Sequence, residues 1–409
     1  MKKLIRILVL LVISFAFGWF LIDFLTVHPL KMAFYLTLSI LSLVLLVLLI
    51  YWFWGNTLRG LTIVISLVGF IFGYLLHADI FLDQEDPRYI PELTRLAGES
   101  VEGHTAVIYF THGEPETYSP IGWINQFKEF DEQEIQFIPF FVRPVFIYIL
   151  RNKYLETGKS NHRYVHHQMV KSLENLYRLE GDSTMRFYIC FLDDEPRPDA
   201  ALIHALNEGA DTIIVSTVFV SISNHTAEGK NLINEVQATE KYGVPVFFTE
   251  PLWNSEMLQS SFPEKVETEM NGKSKEEAAV LLVGHGQPEE WDLEWPTETE
   301  HEKAFRQGII DQFVIRGFKE ENLGSAWMEF KDPKPSDLMP GFIENGVKEI
   351  YYFAAAISAD AIHSQIDIPR LIEEYDLPAD VTTINMGAWN DYPTVIAAIK
   401  ERIDEKLGR

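Results

Sequence analysis

The chain has a single cysteine, Cys190, among its 409 residues. A disulfide within the chain and a zinc site built from several cysteines are therefore both excluded. The sequence also lacks the motifs GxGxxG, GxxxxGK(S/T), GxSxG and HExxH. Nucleotide binding through glycine-rich loops, serine hydrolysis and zinc proteolysis consequently have no motif to support them.

Positive charge is scarce as well. The chain carries 34 Lys and Arg against 59 Asp and Glu, for a net charge of −25. Binding nucleic acid through its phosphates requires a basic surface, so we expect no nucleic-acid partner. An acidic, solvated surface accounts for the charge, and attraction of cations is the alternative function.

Charged residues of either sign are rare in the first 80 residues, which contain three apolar runs at 4–21, 32–54 and 61–76. A membrane-spanning helix needs about 20 apolar residues, and the third run is long enough only with tilt or a thin bilayer. No small-residue cleavage site follows the first run, which argues against a removed signal peptide. The sequence thus predicts a membrane region at 1–80 with about three transmembrane helices, and the lipid bilayer as a partner.

The basic residues Lys2, Lys3 and Arg6 precede the first run. The positive-inside rule then puts the N-terminus in the cytoplasm. Three spans would put the rest of the chain on the outer face of the cell membrane, whereas two spans would leave it in the cytoplasm. We predict a multi-pass membrane protein whose soluble part lies outside.

After residue 80, short apolar runs alternate with amphipathic stretches. The predicted strands are 107–110, 186–191, 212–220, 246–248, 280–283, 349–355 and 381–385. The predicted helices are 166–179, 199–207, 230–242, 301–316, 335–345, 369–375 and 392–406. Such alternation predicts βαβ units and parallel sheets. The fold class is therefore α/β, with two similar doubly wound lobes at 81–260 and 261–409 that divide within the polar stretch 256–277.

One short phrase occurs twice, as Thr111-His112-Gly113-Glu114-Pro115-Glu116 and as Gly284-His285-Gly286-Gln287-Pro288-Glu289. Each copy follows an apolar run, so its histidine lies at the carboxyl end of a strand, where open α/β folds bind ligands. Each half also has a second histidine after a later strand, His225 and His363. The repetition predicts two related lobes that offer imidazoles to one cleft.

In the second half, His285 and His363 follow predicted strands, and Glu329 lies at the end of a short apolar segment. This set fits a divalent first-row metal with open positions, and it equally fits an acid–base set. A loop or capping role is the structural alternative for each histidine. Asp367, just before Pro369, is predicted to cap the following helix.

Two further clusters have simpler interpretations. His162 and His166 are spaced to share one face of a helix, with His167 beside them. We predict a solvated helix face there, with metal binding as the alternative. The acidic run at 289–302 is predicted to be mostly a solvated loop, and its position next to His285 would also suit it to attract a cation.

Three segments of the second half carry a resemblance to a known family: Val283–Glu289, His363–Pro369 and Ala326–Glu329. Through them the second half resembles the class II tetrapyrrole metal chelatases, which include the ferrochelatases and the sirohydrochlorin and cobalt chelatases. Ala326–Glu329 resembles the short glutamate-bearing strand of that family. The first half is similar to ferrochelatases in the order of its shorter motifs: Gly113-x-Pro115, Lys159-Ser160, Tyr164, Arg186–Pro196, Gly209 and Ser223–Thr226. The similarity covers about 105–409. His363 stands where ferrochelatases usually have a glutamate, and in this respect it resembles the cobalt and sirohydrochlorin branch.

The resemblance implies two α/β lobes facing a porphyrin-sized cleft. It also implies insertion of a divalent metal, Fe²⁺ or Co²⁺, into a tetrapyrrole in haem, sirohaem or cobalamin biosynthesis, with no tightly bound cofactor. His285 and His363 would hold the metal and abstract pyrrole protons, with Glu329 completing the set. Weaker candidates for contacting the tetrapyrrole are His112, His225, Trp291 and Trp327, although packing explains the tryptophans equally well. A non-catalytic carrier or receptor for metal or tetrapyrrole is the alternative function.

Overall fold

The structure is a computed structural model, and it describes residues 2–53, 59–86, 88–96, 103–132, 138–182 and 184–409. Trp54, the end of the second apolar run, lies outside the described residues. The chain forms two compact units, one made of 1–87 with 117–159 and the other of 88–116 with 160–409. The first holds the apolar helices, and the second holds both sheets.

Three long helices open the first unit: α1 (Lys2–Thr26), α2 (Met32–Phe53) and α3 (Arg59–Leu82). Within the described part of the chain, the segments long and apolar enough to cross a membrane are Leu4–Thr26, Pro29–Trp52 and Gly60–Leu82. Each exceeds the roughly 20 residues that a bilayer requires. The three predicted runs therefore form three helices suited to spanning a membrane, and the third is longer than the sequence indicated.

Helices α1 and α3 lie close together because small residues line their contact. A Cβ on Gly18 would overlap backbone atoms of Phe70 and Tyr74, and a Cβ on Gly73 would overlap the carbonyl of Phe15. Transmembrane helices commonly approach each other at such small residues. Residues later in α1 meet residues later in α3, so the two helices run parallel.

The remainder of the first unit is an insertion between the first strand and α6 of the other unit, with helices α4 (Ile121–Glu132) and α5 (Arg143–Thr157). Its side chains bond the last carbonyls of α1. Tyr118 Oη donates to Thr26 O at 2.7 Å, and Arg151 Nη1 donates to Phe24 O at 2.5 Å and to Val27 O at 3.1 Å. Two of the carbonyls that α1 would leave unpaired at its end, those of Phe24 and Thr26, are thereby satisfied.

The second unit contains two four-stranded sheets. The strands are β1 (His104–Thr111), β2 (Met185–Phe191), β3 (Ala210–Thr217), β4 (Val246–Phe248), β5 (Ala278–Gly284), β6 (Leu323–Trp327), β7 (Glu349–Ala354) and β8 (Thr382–Asn385). The strand orders are β2-β1-β3-β4 and β6-β5-β7-β8, and every pairing is parallel. Identical order in the two sheets confirms the predicted α/β fold with two similar lobes.

Both faces of each sheet are covered. In β1, Val107 and Tyr109 belong to a core that also contains Leu282 of β5, whereas Ile108 faces a core of its own lobe. Leu281 likewise faces a core confined to the second lobe. The sequence of a parallel strand that is covered on both faces is a continuous apolar run. Such runs are the reason that most of these strands could be predicted.

The helices of the second unit are α6 (His162–Leu179), α7 (Pro198–Asn207), α8 (Asn224–Glu235), α9 (Ala238–Tyr242), α10 (Glu256–Met270), α11 (Glu289–Glu294), α12 (Pro296–Ile315), α13 (Pro335–Glu344), α14 (Ile368–Glu373) and α15 (Pro393–Leu407). The single helix predicted over 230–242 is wrong, because Gln237 has φ 57° and divides it into α8 and α9. Strand β6 was not among the predicted strands. The stretch 256–277 forms α10 and a short 3₁₀ turn.

Candidate functional site at the strand ends

The repeated phrase forms the same turn in both lobes. Strands β1 and β5 end within it, and the glycine after each histidine has a positive φ, 102° at Gly113 and 85° at Gly286. Such φ values favour glycine. A Cβ on Gly286 would also overlap the carbonyl oxygen of Glu329, so this turn requires glycine for space as well.

In each lobe, the backbone N–H of an acidic residue donates a hydrogen bond to the backbone carbonyl of the strand-end histidine. Asp193 N–H donates to His112 O at 2.8 Å in the first lobe, and Glu329 N–H donates to His285 O at 3.1 Å in the second. Both follow the strand next to the histidine's own strand, β2 or β6. The lobes therefore match in backbone bonding as well as in strand order.

His285 is held in one orientation and one tautomer. Its Nδ1–H donates to Gly286 O at 2.6 Å, and its backbone N–H donates to Glu302 Oε2 at 3.1 Å. Since Nδ1 carries the proton, Nε2 keeps a lone pair for a metal or a proton. Burial, followed by the neighbouring His363, lowers the pKa of His285, while Glu329 opposes this shift.

His363 is oriented by a carboxylate. It begins a π-helical turn, His363–Asp367, and its Nδ1 donates to Asp367 Oδ2 at 2.7 Å. The predicted capping role of Asp367 is wrong: the residue stands at the N-cap of α14, but its carboxylate makes no capping bond there. Instead it fixes the tautomer of His363, as carboxylates do for metal-binding histidines.

The two oriented imidazoles face one another. Their ring centroids are 5.4 Å apart, with the planes at 73°. Metal–nitrogen bonds of about 2.0–2.1 Å put the rings of two ligating histidines roughly 5 Å apart, so one ion could be shared. Among the residues that the structure describes, no group of three or more His, Cys, Asp or Glu is arranged to hold a metal. Glu329 acts on His285 electrostatically, and an ion on the pair would have open positions.

The first lobe presents a matching pair. His112 and His225 have ring centroids 4.7 Å apart at 74°, and Asp193 Oδ2 lies 3.2 Å from His112 Nδ1. The Trp291 ring, from the second lobe, is 6.3 Å from that of His225. Burial, then His112 and His285, holds the pKa of His225 well below its usual range. The weaker candidates His112, His225 and Trp291 thus adjoin the second-lobe pair.

Trp327 lies in a different environment. It is 3% exposed, and the guanidinium of Arg306 covers its ring at 3.9 Å. Arg306 Nη1 in turn donates to Glu302 Oε2 at 2.7 Å, with both side chains buried. These contacts favour the packing alternative for Trp327. The same guanidinium explains Gly284, where a Cβ would overlap Arg306 Nη1.

Sequence reasoning missed Glu114. Its carboxylate accepts the backbone N–H of Ile362 at 3.0 Å and a bond from the Ser160 side chain, which joins the first-lobe phrase to the residue before His363. Burial raises the pKa of Glu114, and Ser160 and His363 oppose the rise. The one available signal was its place in the repeated phrase, where the second copy has Gln287.

The predicted solvated face of α6 is wrong for two of its histidines. His162 and His166 share a face, with ring centroids 4.4 Å apart, but both are buried; only His167 is exposed. His166 is bonded to Tyr109 Oη at 2.9 Å and to Ser358 Oγ at 3.2 Å. Burial lowers the pKa of His166 to about 3, so it is neutral and links the two lobes.

The acidic run after His285 is not the predicted solvated loop either. It forms α11 and the start of α12. Glu302 is buried in its ion pair with Arg306. Desolvation, then Glu302 and Asp292, raises the pKa of Glu298 to about 8. A carboxyl that changes protonation near neutral pH therefore lies close to the site.

Comparisons with known proteins found limited likeness. No protein-family profile matches the chain, and no curated protein matches it. Among solved structures it is similar to SirB from Bacillus subtilis with Fe³⁺, at 15% identity and a TM-score of 0.46 over 74% of this chain and 95% of that one. It is also similar to the sirohydrochlorin chelatase SirB from Bacillus subtilis subspecies spizizenii in complex with cobalt. The identity is 11% and the TM-score 0.45, over 74% of this chain and 94% of that one. A third similar structure is a multi-domain Deinococcus radiodurans protein described as structurally similar to chelatases. The identity is 12% and the TM-score 0.44, over 73% of this chain and 55% of that one. At these values the likeness assigns no family to the chain.

Proposed function

We propose that this chain is a membrane-tethered metal chelatase that inserts a divalent metal, Fe²⁺ or Co²⁺, into a tetrapyrrole in haem, sirohaem or cobalamin biosynthesis. The observation that carries the proposal is the pair His285 and His363, two oriented imidazoles with centroids 5.4 Å apart at the carboxyl ends of parallel strands. The tetrapyrrole as substrate class comes from the motif resemblance.

The chemistry requires a base that also binds metal. Insertion replaces two pyrrole protons by one M²⁺ ion, so two protons must leave as the metal–nitrogen bonds form. Nδ1 is the proton donor in both His285 and His363, which leaves Nε2 to ligate the incoming metal or to accept a pyrrole proton. The lowered pKa of His285 keeps it neutral, and therefore competent, near pH 7.

Carboxylates then carry the protons away from the imidazoles. We assign this role to Glu329, whose charge stabilises protonated His285, and to Glu114, which acts on His363. Glu329 would also ligate the metal during transfer. Such a weak, incomplete ligand set suits a metal that must be given up to the product.

The first-lobe pair would face the other side of the substrate. His112 and His225, with Trp291 beside them, would contact the tetrapyrrole. The three apolar helices would anchor the enzyme in the cell membrane, with its catalytic unit on the outer face.

A carrier is the second candidate function. It is favoured by the presence of two imidazole pairs, since a carrier needs metal ligands but no base. A carrier would bind metal or tetrapyrrole tightly without turnover.

The test is metal insertion by the purified full chain in nanodiscs. Fe²⁺ and Co²⁺ are each offered with protoporphyrin, coproporphyrin or sirohydrochlorin, and the change in tetrapyrrole absorption is followed. His285→Ala and His363→Ala should each abolish turnover, while His204→Ala, at an exposed histidine of α7, should not change it. Tight binding without turnover would favour the carrier, and turnover that survives both site substitutions would refute the proposed site.

A further inference from the structure

A second apolar element lies beside the membrane helices, in the stretch 138–150 that leads into α5. This stretch reads Ile-Pro-Phe-Phe-Val-Arg-Pro-Val-Phe-Ile-Tyr-Ile-Leu, with Arg143 as its one charged residue. It is too short to span a bilayer, and apolar segments of roughly 10–14 residues are typical of buried, re-entrant or interfacial helices. It belongs to the same compact unit as the three long helices.

This element has its apolar side outward and its charges inward. Phe141, Val145 and Ile149, spaced four residues apart, are 58%, 39% and 48% exposed. The opposite face is buried and includes Arg143 and, one residue past the stretch, Arg151. A helix on the surface of a soluble protein has the reverse pattern, and an exposed apolar face marks a contact with a membrane or another protein.

Both arginines form hydrogen bonds on the inner side. Arg143 Nη1 donates to Asp131 Oδ2 at 2.6 Å, and its guanidinium lies 5.1 Å from the ring of Phe127. Arg151 donates to the carbonyls of Phe24 and Val27 at the end of α1. The outward face therefore brings no charge with it into an apolar environment.

Contacts with the long helices show how far along the candidate membrane spans the element at 138–150 lies. Tyr74 Oη donates to Phe141 O at 2.8 Å, and Tyr74 lies within the candidate span Gly60–Leu82. At 1.5 Å per residue, Tyr74 is about 12 Å inside the Leu82 end. At its other end, α5 reaches Val27, just after α1 ends. The element therefore rises from inside the span to its edge.

We propose that the face formed by Phe141, Val145 and Ile149 is embedded among the acyl chains of the bilayer as a fourth, re-entrant membrane element. The occupant of this face is lipid because the face continues the exposed apolar surface of α3 at the depth of Tyr74. The inference is independent of the proposed chelatase activity.

The test uses the full chain in phosphatidylcholine nanodiscs. Cysteine is introduced singly at Phe141, Val145 or Ile149 and labelled with an environment-sensitive fluorophore, Cys190 being buried. Quenching is measured with lipids brominated along the acyl chain and, separately, with aqueous iodide. The control for the aqueous phase is Glu156→Cys, two turns beyond Ile149 on the same face, and the control for lipid is Leu67→Cys on α3, where Leu67 is exposed.

The expected result is strong quenching by brominated chains at positions 141 and 145, comparable to that at position 67, with iodide quenching only at position 156. Iodide quenching at 141, 145 and 149 equal to that at 156 would overturn the proposal. Protection from both quenchers would also overturn it, because the face would then be covered by protein.

Discussion

The Nδ1 of His363 donates to the carboxylate of Asp367 at 2.7 Å, one turn further along the chain. The bond fixes the ring and leaves Nε2 as the basic nitrogen. His285 reaches the same tautomer by a different route, through the carbonyl of Gly286. A charged partner, Asp367, and a neutral one, the Gly286 carbonyl, thus fix the two imidazoles in the same tautomer, with Nε2 free of a proton.

Replacing Asp367 should weaken the proposed metal site without removing a ligand. We expect Asp367→Ala to lower Co²⁺ affinity and turnover by roughly 10–100-fold, the usual effect of losing a carboxylate behind a metal-binding histidine. Asp367→Asn should lower them less, because its carbonyl oxygen can still accept the bond. Titration with Co²⁺ measures the affinity, and Asp311→Asn on α12 is the control. Unchanged affinity in Asp367→Ala would mean that the bond is only structural.

Glu114 should matter for proton transfer more than for metal binding. In Glu114→Gln the amide oxygen can still accept the Ile362 N–H, but the side chain cannot take a proton. We expect turnover to fall by about 10²–10⁴-fold, as for loss of a general base, with Co²⁺ affinity unchanged. Because burial raises the pKa of Glu114, wild-type turnover should decline as pH falls while still above the usual carboxyl range. A variant with wild-type rates across this pH range would remove Glu114 from the mechanism.

The turn after His285 should not tolerate a side chain. Gly286→Ala places a Cβ against the Glu329 carbonyl and also forces alanine to φ 85°. Gly346→Ala is the matched control, since Gly346 has φ 79° and nothing lies within 4 Å of its added Cβ. The control should lose about 1–2 kcal/mol of stability from the left-handed conformation alone, whereas Gly286→Ala should lose more and also lose turnover. Equal effects of the two substitutions on stability and rate would contradict this account of the turn.

The buried histidines should make the protein sensitive to acid. His166 has a pKa of about 3 in the folded chain against about 6.5 when unfolded. Below pH 6.5 the unfolded state therefore binds more protons, and stability falls as pH falls, by about 1.4 kcal/mol per pH unit for this one group. Thermal unfolding of the full chain between pH 7 and pH 5 measures the slope. His166→Gln should reduce this slope by up to about 1.4 kcal/mol per pH unit, the contribution of one proton. An unchanged slope would show that His166 is not buried in its neutral form.

Sequence alone located β1 and β5 well, because these two parallel strands are covered on both faces and each ends at a glycine turn. The search for apolar runs missed β6, a short strand that begins Leu323-Gly324-Ser325, and only the family resemblance pointed to a strand there. His162 and His166 were misjudged because α6 has a polar composition. Their burial comes from packing between the lobes, which no local pattern reveals.

Two other features depend on contacts between distant parts of the chain. Glu114 accepts the backbone N–H of Ile362, which is 248 positions away in the chain. The local sequence around either residue therefore cannot predict this contact. The sequence of the element at 138–150 does not show that Arg143, and Arg151 just after the element, lie on the buried face. Both are properties of tertiary packing.

The most direct test of the proposed shared metal site is X-ray absorption of the full chain loaded with one equivalent of Co²⁺. The account predicts two imidazole ligands, one in His363→Ala, and loss of both when the tetrapyrrole takes the metal. A bound Co²⁺ without imidazole ligands, or a coordination shell unchanged in His363→Ala, would contradict it.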